Sequence, residues 1–165
     1  MHAEDLLIPT PEGLFCPPGG FHIDPMRPVD RALITHAHAD HARPGHGAVL
    51  ATADTLQIMA IRYGAGFAGA TQAAEGTQRI GEVTVRFHPA GHVRGSAQIE
   101  VVWQGFRAVV TGDYGRHANP VAEPFALVPC DLFVTEATFG LPVFRHPDPV
   151  HEIAKLLASC AAFPD

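Results

Sequence analysis

The sequence predicts an α+β or layered α/β fold, rich in short strands and poor in helices. Three observations carry this. Glycine and proline punctuate the chain, with 16 Gly and 15 Pro in 165 residues. The apolar stretches between them are short, and several alternate, as Val83, Val85 and Phe87 do. Only two segments carry helical spacing, one from Ala53 and one after Asp148. Hydrophobic residues make up 47% of the chain, which is globular composition and enough for one domain with a sizeable core.

In order along the chain, Leu6–Ile8, Leu14–Cys16 and Phe21–Ile23 are apolar pieces separated by "PTPEG" and "PPGG", and they read as an N-terminal strand meander. "RALIT" (31–35) reads as a buried strand and "AVLAT" (48–52) as another. "ADTLQIMAIRYG" (53–64) reads as a helix, with Leu56, Met59 and Ala60 on one face and Gly64 placed to end it. "TQRIGEVTVRFHPAG" reads as strand pieces, and "AQIEVVWQGFRAVVTGD" as a hairpin turning near "QG". "DLFVTEATFG" adds one more apolar run. Asp148 can cap a helix with Pro149 at its first position, and Ile153, Leu156 and Leu157 then form an apolar stripe. Polar clusters repeatedly sit just past the strand ends.

Composition bounds the function classes. No apolar run approaches the ~20 residues of a membrane span, and "MHAEDLLIPTPEG" lacks a basic start, so a cytoplasmic protein is expected. Cys16, Cys130 and Cys160 are odd in number and widely spaced, which argues for reduced thiols rather than a disulfide framework or a cysteine zinc site. The net charge of −6 supplies no global basic field for nucleic acid, although bound cations would add local positive charge. Ten of the 11 basic residues are Arg, Lys155 being the exception.

Eleven histidines are abnormal, and their placement is not even. His36, His38, Asp40 and His41 spell H-x-H-x-D-H directly after the apolar run 31–35. His36 and His38, two apart in an extended segment, point to one face, and the following turn brings two more ligand types beside them. Chance supplies such a pattern in roughly two to three chains per thousand of this composition, so a metal site is the stronger reading. Imidazole and carboxylate together suit zinc, manganese or iron in hydrolysis. His92 in "PAGHVRGSAQ" and Asp113 in "VVTGDYGR" also follow strands, so they are candidates to converge on the same edge, where Asp113 can bridge two metals. Lone histidines such as His46 and His151 are expected in core or solvated positions, whereas His22, His88 and His117 flank motif residues, where a role in orienting the ligands and a solvated or packed position both stay open. Trp103 reads as core or sheet face.

"THAHADH", "AGHVRGSA" and "TGDY", in this order and spacing, resemble the metallo-β-lactamase superfamily. "FHIDP", the "GSA" after His92 and "VTEATFG" are similar to the β-CASP, Artemis-like nucleases, and "CPPGGFHIDP" with "TEATFGLPVFRHPDP" to their ligase-associated DNA exonucleases in bacteria. The resemblance runs from about Leu14 to Pro149. It implies a four-layer αβ/βα sandwich holding two divalent metals, zinc first and manganese second. His36, His38 and His92 would hold one metal, Asp40 and His41 the other, and Asp113 both. Asp24 would orient the histidines through hydrogen bonds. Asp40, Asp113 and Glu136 would act in catalysis, Glu136 by supporting an acid–base partner. The implied activity is phosphodiester hydrolysis in DNA, on single strands or duplex ends, in repair beside a DNA ligase. Arg94, Ser96 and Arg116, with Arg27 and Arg145 less directly, are candidates for phosphate contacts.

The family carries a further metal-binding His and a catalytic His beyond the helix starting at Asp148, and His146 and His151 lie too early to replace them. The expectation is therefore an N-terminal half of the sandwich, with residues 1–147 as part of the metallo-β-lactamase domain and 148–165 as the start of the β-CASP region. Such a half would expose an apolar face and show weak activity or none. Alternatives are an RNA-processing β-CASP nuclease, a small-molecule metallo-hydrolase, a truncated non-catalytic relative and two complementing copies.

Overall fold

In the computed structural model, residues 2–144 and 147–163 are described. The elements run α1 (Ala3–Leu6), β1 (Ile8–Thr10), β2 (Gly13–Cys16), β3 (Phe21–Ile23), β4 (Arg31–Leu33), β5 (His46–Ala51), α2 (Ala53–Tyr63), β6 (Ala68–Ala73), β7 (Thr77–Ile80), β8 (Val83–Pro89), β9 (Ala97–Trp103), β10 (Phe106–Val110), β11 (Leu132–Val134) and α3 (Pro149–Ala162). They build two sheets, ordered β1-β2-β3-β4-β5-β6 and β11-β10-β9-β8-β7. The α/β class read from the sequence is the one observed.

The elements depart from expectation in two places. Leu6 belongs to a helical turn rather than a strand, because Asp5 accepts from the His2 backbone N–H and closes that turn. β6 ("AGATQA") is a strand the sequence does not announce: its alanines, glycine and polar residues give no alternation, and only parallel pairing to β5 defines it. The 97–110 hairpin is as expected. Its turn needs positive φ at both central positions, supplied by Gln104 (φ 50°) and Gly105 (φ 85°).

The core lies between the sheets. Phe21, Ile23, Leu33 and Leu50 from the first sheet meet Val83, Val85, Ile99, Val101, Ala108 and Val110 from the second, with Leu6 and Cys16 closing one end. Ala32, Ile34, Val49 and Ala51 face the opposite way, onto Met59 of α2 and Phe67. Residues 32–34 are thus buried on both faces, which is why Ala32, Leu33 and Ile34 read as a continuous apolar run. Burial pushes the Cys16 thiol up to about 11, and all three cysteines are unpaired. The outer face of the second sheet is crossed by the segment after β10: Gln98 donates to the carbonyls of Pro89 and Ala126, and Arg107 to that of Pro129.

α3 is capped as expected, with the Asp148 carboxylate accepting from the backbone of Val150 and His151. Its stripe does not pack, however. Val150, Ile153, Leu156 and Leu157 are exposed and α3 buries no residue, while Phe133, Phe139, Leu141, Val143 and Phe144 are exposed as well. No helix among the described residues is long and apolar enough to cross a membrane.

Strand direction places the functional residues. β3, β4, β5 and β6 are mutually parallel, so the segments after β3, β4 and β5 leave from one edge. β8 and β10 are each antiparallel to β9, and β11 is parallel to β10, so these three also end on one edge of their sheet.

Leu33 is fully buried and immediately precedes the histidine segment. Leu33→Ala is expected to cost about 2–5 kcal/mol in a urea unfolding curve. A loss under about 0.5 kcal/mol would contradict the packing described.

Candidate metal centre

The 34–41 segment leaves β4 and turns back at once, with the amides of His41 and Ala42 both bonded to the His38 carbonyl. This tight turn brings His36, His38, Asp40 and His41 together, while the Ala97 amide bonds the Thr35 carbonyl and ties the second sheet to the same spot. His92 arrives on the turn between β8 and β9, and Asp113 on the loop after β10.

His36 Nε2, His38 Nδ1, His92 Nε2 and an Asp113 carboxylate oxygen face one point, all within 4.8 Å of one another. His38 Nδ1 lies 3.1 Å from His36 Nε2 and 3.2 Å from His92 Nε2. Asp113 Oδ2 lies 3.8 Å from His36 Nε2 and 3.6 Å from His92 Nε2. Ligands at the usual zinc distances in a tetrahedron stand about 3.3–3.4 Å apart, so the donor atoms fit a cation of that size. The other oxygen, Asp113 Oδ1, is 3.5 Å from His41 Nε2, which is in turn 3.7 Å from Asp40 Oδ2. One carboxylate therefore presents an oxygen to each of two ligand groups.

Asp24 organises both. It accepts at Oδ1 from the Thr35 amide (2.8 Å) and at Oδ2 from Thr35 Oγ1 (2.6 Å), and its Oδ2 is 2.8 Å from His41 Nδ1. Thr35 Oγ1 is also 3.0 Å from His36 Nδ1. Protons on Nδ1 of His36 and His41 satisfy every one of these contacts and leave both Nε2 lone pairs free for a metal. Asp24 has φ +44°, a left-handed conformation uncommon for a residue other than glycine.

The electrostatics suit deprotonated ligands. Burial, then the rings of His41, His38 and His92, pull the His36 imidazole down to about 3. Burial also lowers His92, against the attraction of Asp113. For His41 burial works in the same direction, but the Asp24 hydrogen bond and the charges of Asp24, Asp113 and Asp40 raise it on balance. Metal ligation requires these nitrogens unprotonated, so uptake should depend on pH.

No family model matches the chain. A probable DNA ligase from Opitutus terrae is 31% identical over 154 residues, which cover 90% of this chain and 15% of that protein. Ribonuclease TTHA0252 of Thermus thermophilus is 31% identical over 147 residues, covering 73% of this chain and 34% of its own length. The chain belongs to the metallo-β-lactamase superfamily, among its β-CASP nucleases. It spans about a third or less of the length of these two relatives. A protein of unknown function from Enterococcus faecalis V583 shares the fold, with a TM-score of 0.51, 15% identity, and coverage of 78% of this chain and 39% of that one.

As a metallo-β-lactamase relative, the chain brings all six expected ligand residues and Asp24 to one edge. Glu136 sits beside them, lining a cleft with Asp40 and His41. Burial acts to raise its carboxyl, but hydrogen bonds from Thr138 and the neighbouring His92 and Tyr114 lower it on balance. The expected phosphate contacts fare differently. Ser96 is buried, and its hydroxyl accepts from the amides of His92 and Val93, so it shapes the turn rather than facing substrate. Arg94 is exposed but pairs with Asp54 at 3.1 Å. Arg116 is exposed on the loop after Asp113, and Arg27 is exposed beyond β3. Arg145 and His146 lie outside the described residues. His46 is buried in the core with Nδ1 accepting from Val29, and His151 is exposed on α3. His88 pairs with Glu100 on the outer sheet face, away from the ligands.

Residues to which the sequence assigned no role also shape the site. Gly112 (φ +56°) lies so close to Thr35 that an added Cβ would stand 2.6 Å from the Thr35 Cβ. Gly112→Ala should therefore push Thr35 off Asp24 and shift Asp113. The expected result is weaker zinc binding by about 10–100-fold, read by chelator competition, and unchanged affinity would contradict the close approach.

The pH dependence has a defined sign. His36, His92 and the buried His46 all have folded values below the ordinary ~6.5. The unfolded chain takes up protons that the fold refuses, so stability is lost as pH falls from about 6.5 toward those lower values. His41 is shifted upward and works against this. The thermal midpoint of the metal-free protein should fall between pH 7 and pH 4, and His46→Leu should flatten part of that decline. A flat profile would refute the assignment.

Proposed function

We propose that this chain carries the metal centre of a nuclease that hydrolyses phosphodiester bonds in DNA, as a ligase-associated exonuclease of cytoplasmic DNA repair. The observation that carries this reading is Asp113, with one carboxylate oxygen toward the His36–His38–His92 nitrogens and the other toward His41. Two divalent ions, zinc by donor set and spacing, would supply an acidified water and neutralise charge on the phosphate.

His36, His38, His92 and Asp113 would hold one ion, and Asp40, His41 and Asp113 the other. The Asp40 side chain is 75% exposed, so an oxygen not committed to a ligand can take a proton from the attacking water. Glu136, held ionised by Thr138, can orient an acid–base partner beside His92. Arg116, exposed three positions after Asp113, has no hydrogen bond or ion pair among the described residues and can meet a phosphate, while Arg94 must first leave Asp54. The relative named a probable DNA ligase aligns with more of this chain than the ribonuclease does, which favours DNA. The ribonuclease makes RNA the second reading.

The test is metal content by mass spectrometry, with turnover on single-stranded DNA, duplex ends and RNA in added zinc or manganese. His38→Ala should lose one ion and lower turnover by at least about 100-fold, beyond what losing an orienting partner costs. Equal metal content in the variant would remove the assignment, and preferential cleavage of RNA would select the second reading.

A further inference from the structure

The histidines of the centre are not oriented alike. His36 and His41 are held through their second ring nitrogen, by Thr35 and Asp24. His92 Nδ1 has no hydrogen-bond partner among the described residues, so its ring is aimed by its backbone. The His92 amide donates to Ser96 Oγ at 3.1 Å, and the His92 carbonyl accepts from Asn119 Nδ2 at 2.8 Å. Ser96 lies in the same turn and can only shape it. Asn119 lies on the loop that carries Asp113.

We propose that Asn119 is a positioning residue for the metal centre, fixing the His92 turn against the Asp113 loop so that His92 Nε2 and Asp113 Oδ2 meet one cation. This rests on the metal-centre reading above. Beside Asn119, the two loops are joined by the Gly115 amide on the Ala90 carbonyl at 2.9 Å and by close packing of Gly115 on Gly91. At Gly115 an added Cβ would stand 2.7 Å from the Gly91 oxygen. The glycines set how closely the backbones approach. Asn119 sets where the His92 carbonyl, and with it the ring, points along that contact.

The requirement is chemically narrow. Asn119 Oδ1 accepts from the Val121 amide at 3.0 Å while Nδ2 donates to His92. A carboxamide supplies both roles. Aspartate has nearly the same shape and keeps the acceptor, but it sets a carboxylate oxygen against the His92 carbonyl.

The experiment compares the full chain with Asn119→Asp and Asn119→Ala. Zinc affinity is read by chelator competition, and the geometry of the first site by the visible absorption of the cobalt(II)-substituted protein. Both variants are expected to bind the first ion about 10–100-fold more weakly, with an altered cobalt spectrum. A residue that only stabilises the fold would change the unfolding midpoint and leave the cobalt spectrum alone. Unchanged affinity and spectrum in Asn119→Asp would overturn the proposal while leaving the metal centre standing. Loss of folding in both variants would overturn it too, by showing that Asn119 holds the chain rather than the ligand. A wild-type chain that takes up no metal would overturn this proposal and the metal centre together.

Discussion

The Asp24 carboxylate is the constraint on which the site depends. It closes three contacts at once: the Thr35 amide, the Thr35 hydroxyl and the His41 ring. Through Thr35 it also reaches His36. A single side chain at the end of β3 thereby fixes the tautomer of one histidine from each ligand group, and with it the direction of both Nε2 lone pairs. The left-handed backbone at Asp24 fits this role, since such strain persists where the surroundings over-determine it. Thr35 supplies much of that surrounding, being buried and closely packed on Gly112.

The second constraint is strand direction. Ligand-bearing segments leave the carboxyl ends of β4, β8 and β10, with Asp24 after β3 and Glu136 after β11. In open α/β sheets that edge is where functional loops gather, because backbone groups there are not consumed by the next strand. Packing then does the rest. Leu33 and Ile34 anchor opposite faces of the strand that launches the histidines, so the turn at His38 starts from a fixed point.

The centre is rigid on one side and lightly held on the other. His36 is fully buried and anchored through its ring, whereas His38 and Asp40 are exposed. Asp113 lies between, a quarter exposed, and faces both groups. The buried side of the cluster is thus fixed by its hydrogen bonds, and the side carrying His38 and Asp40 is open to solvent. Phe139, Leu141, Val143 and Phe144, which follow Glu136 in the chain, are exposed, and so is the α3 stripe.

The sequence by itself determined the ligand inventory and the local elements that carry it. H-x-H-x-D-H is legible because its donor chemistry is rare by chance, and β8, β9, β10 and both longer helices are legible because alternation, turn residues and caps are local signals. Only the tertiary structure decided what those signals could not encode. β6 exists through pairing with β5, not through its own pattern. Ser96 turned inward because the amides of His92 and Val93 lay within its reach, so a plausible substrate contact became part of a turn. The helical stripe of α3 is legible, but periodicity specifies a face and not a partner to cover it. Gly112 stands within the legible TGDY, but its packing on Thr35 and the hydrogen bond of Asn119 to His92 join separate segments, and contacts made by folding are not written at either residue.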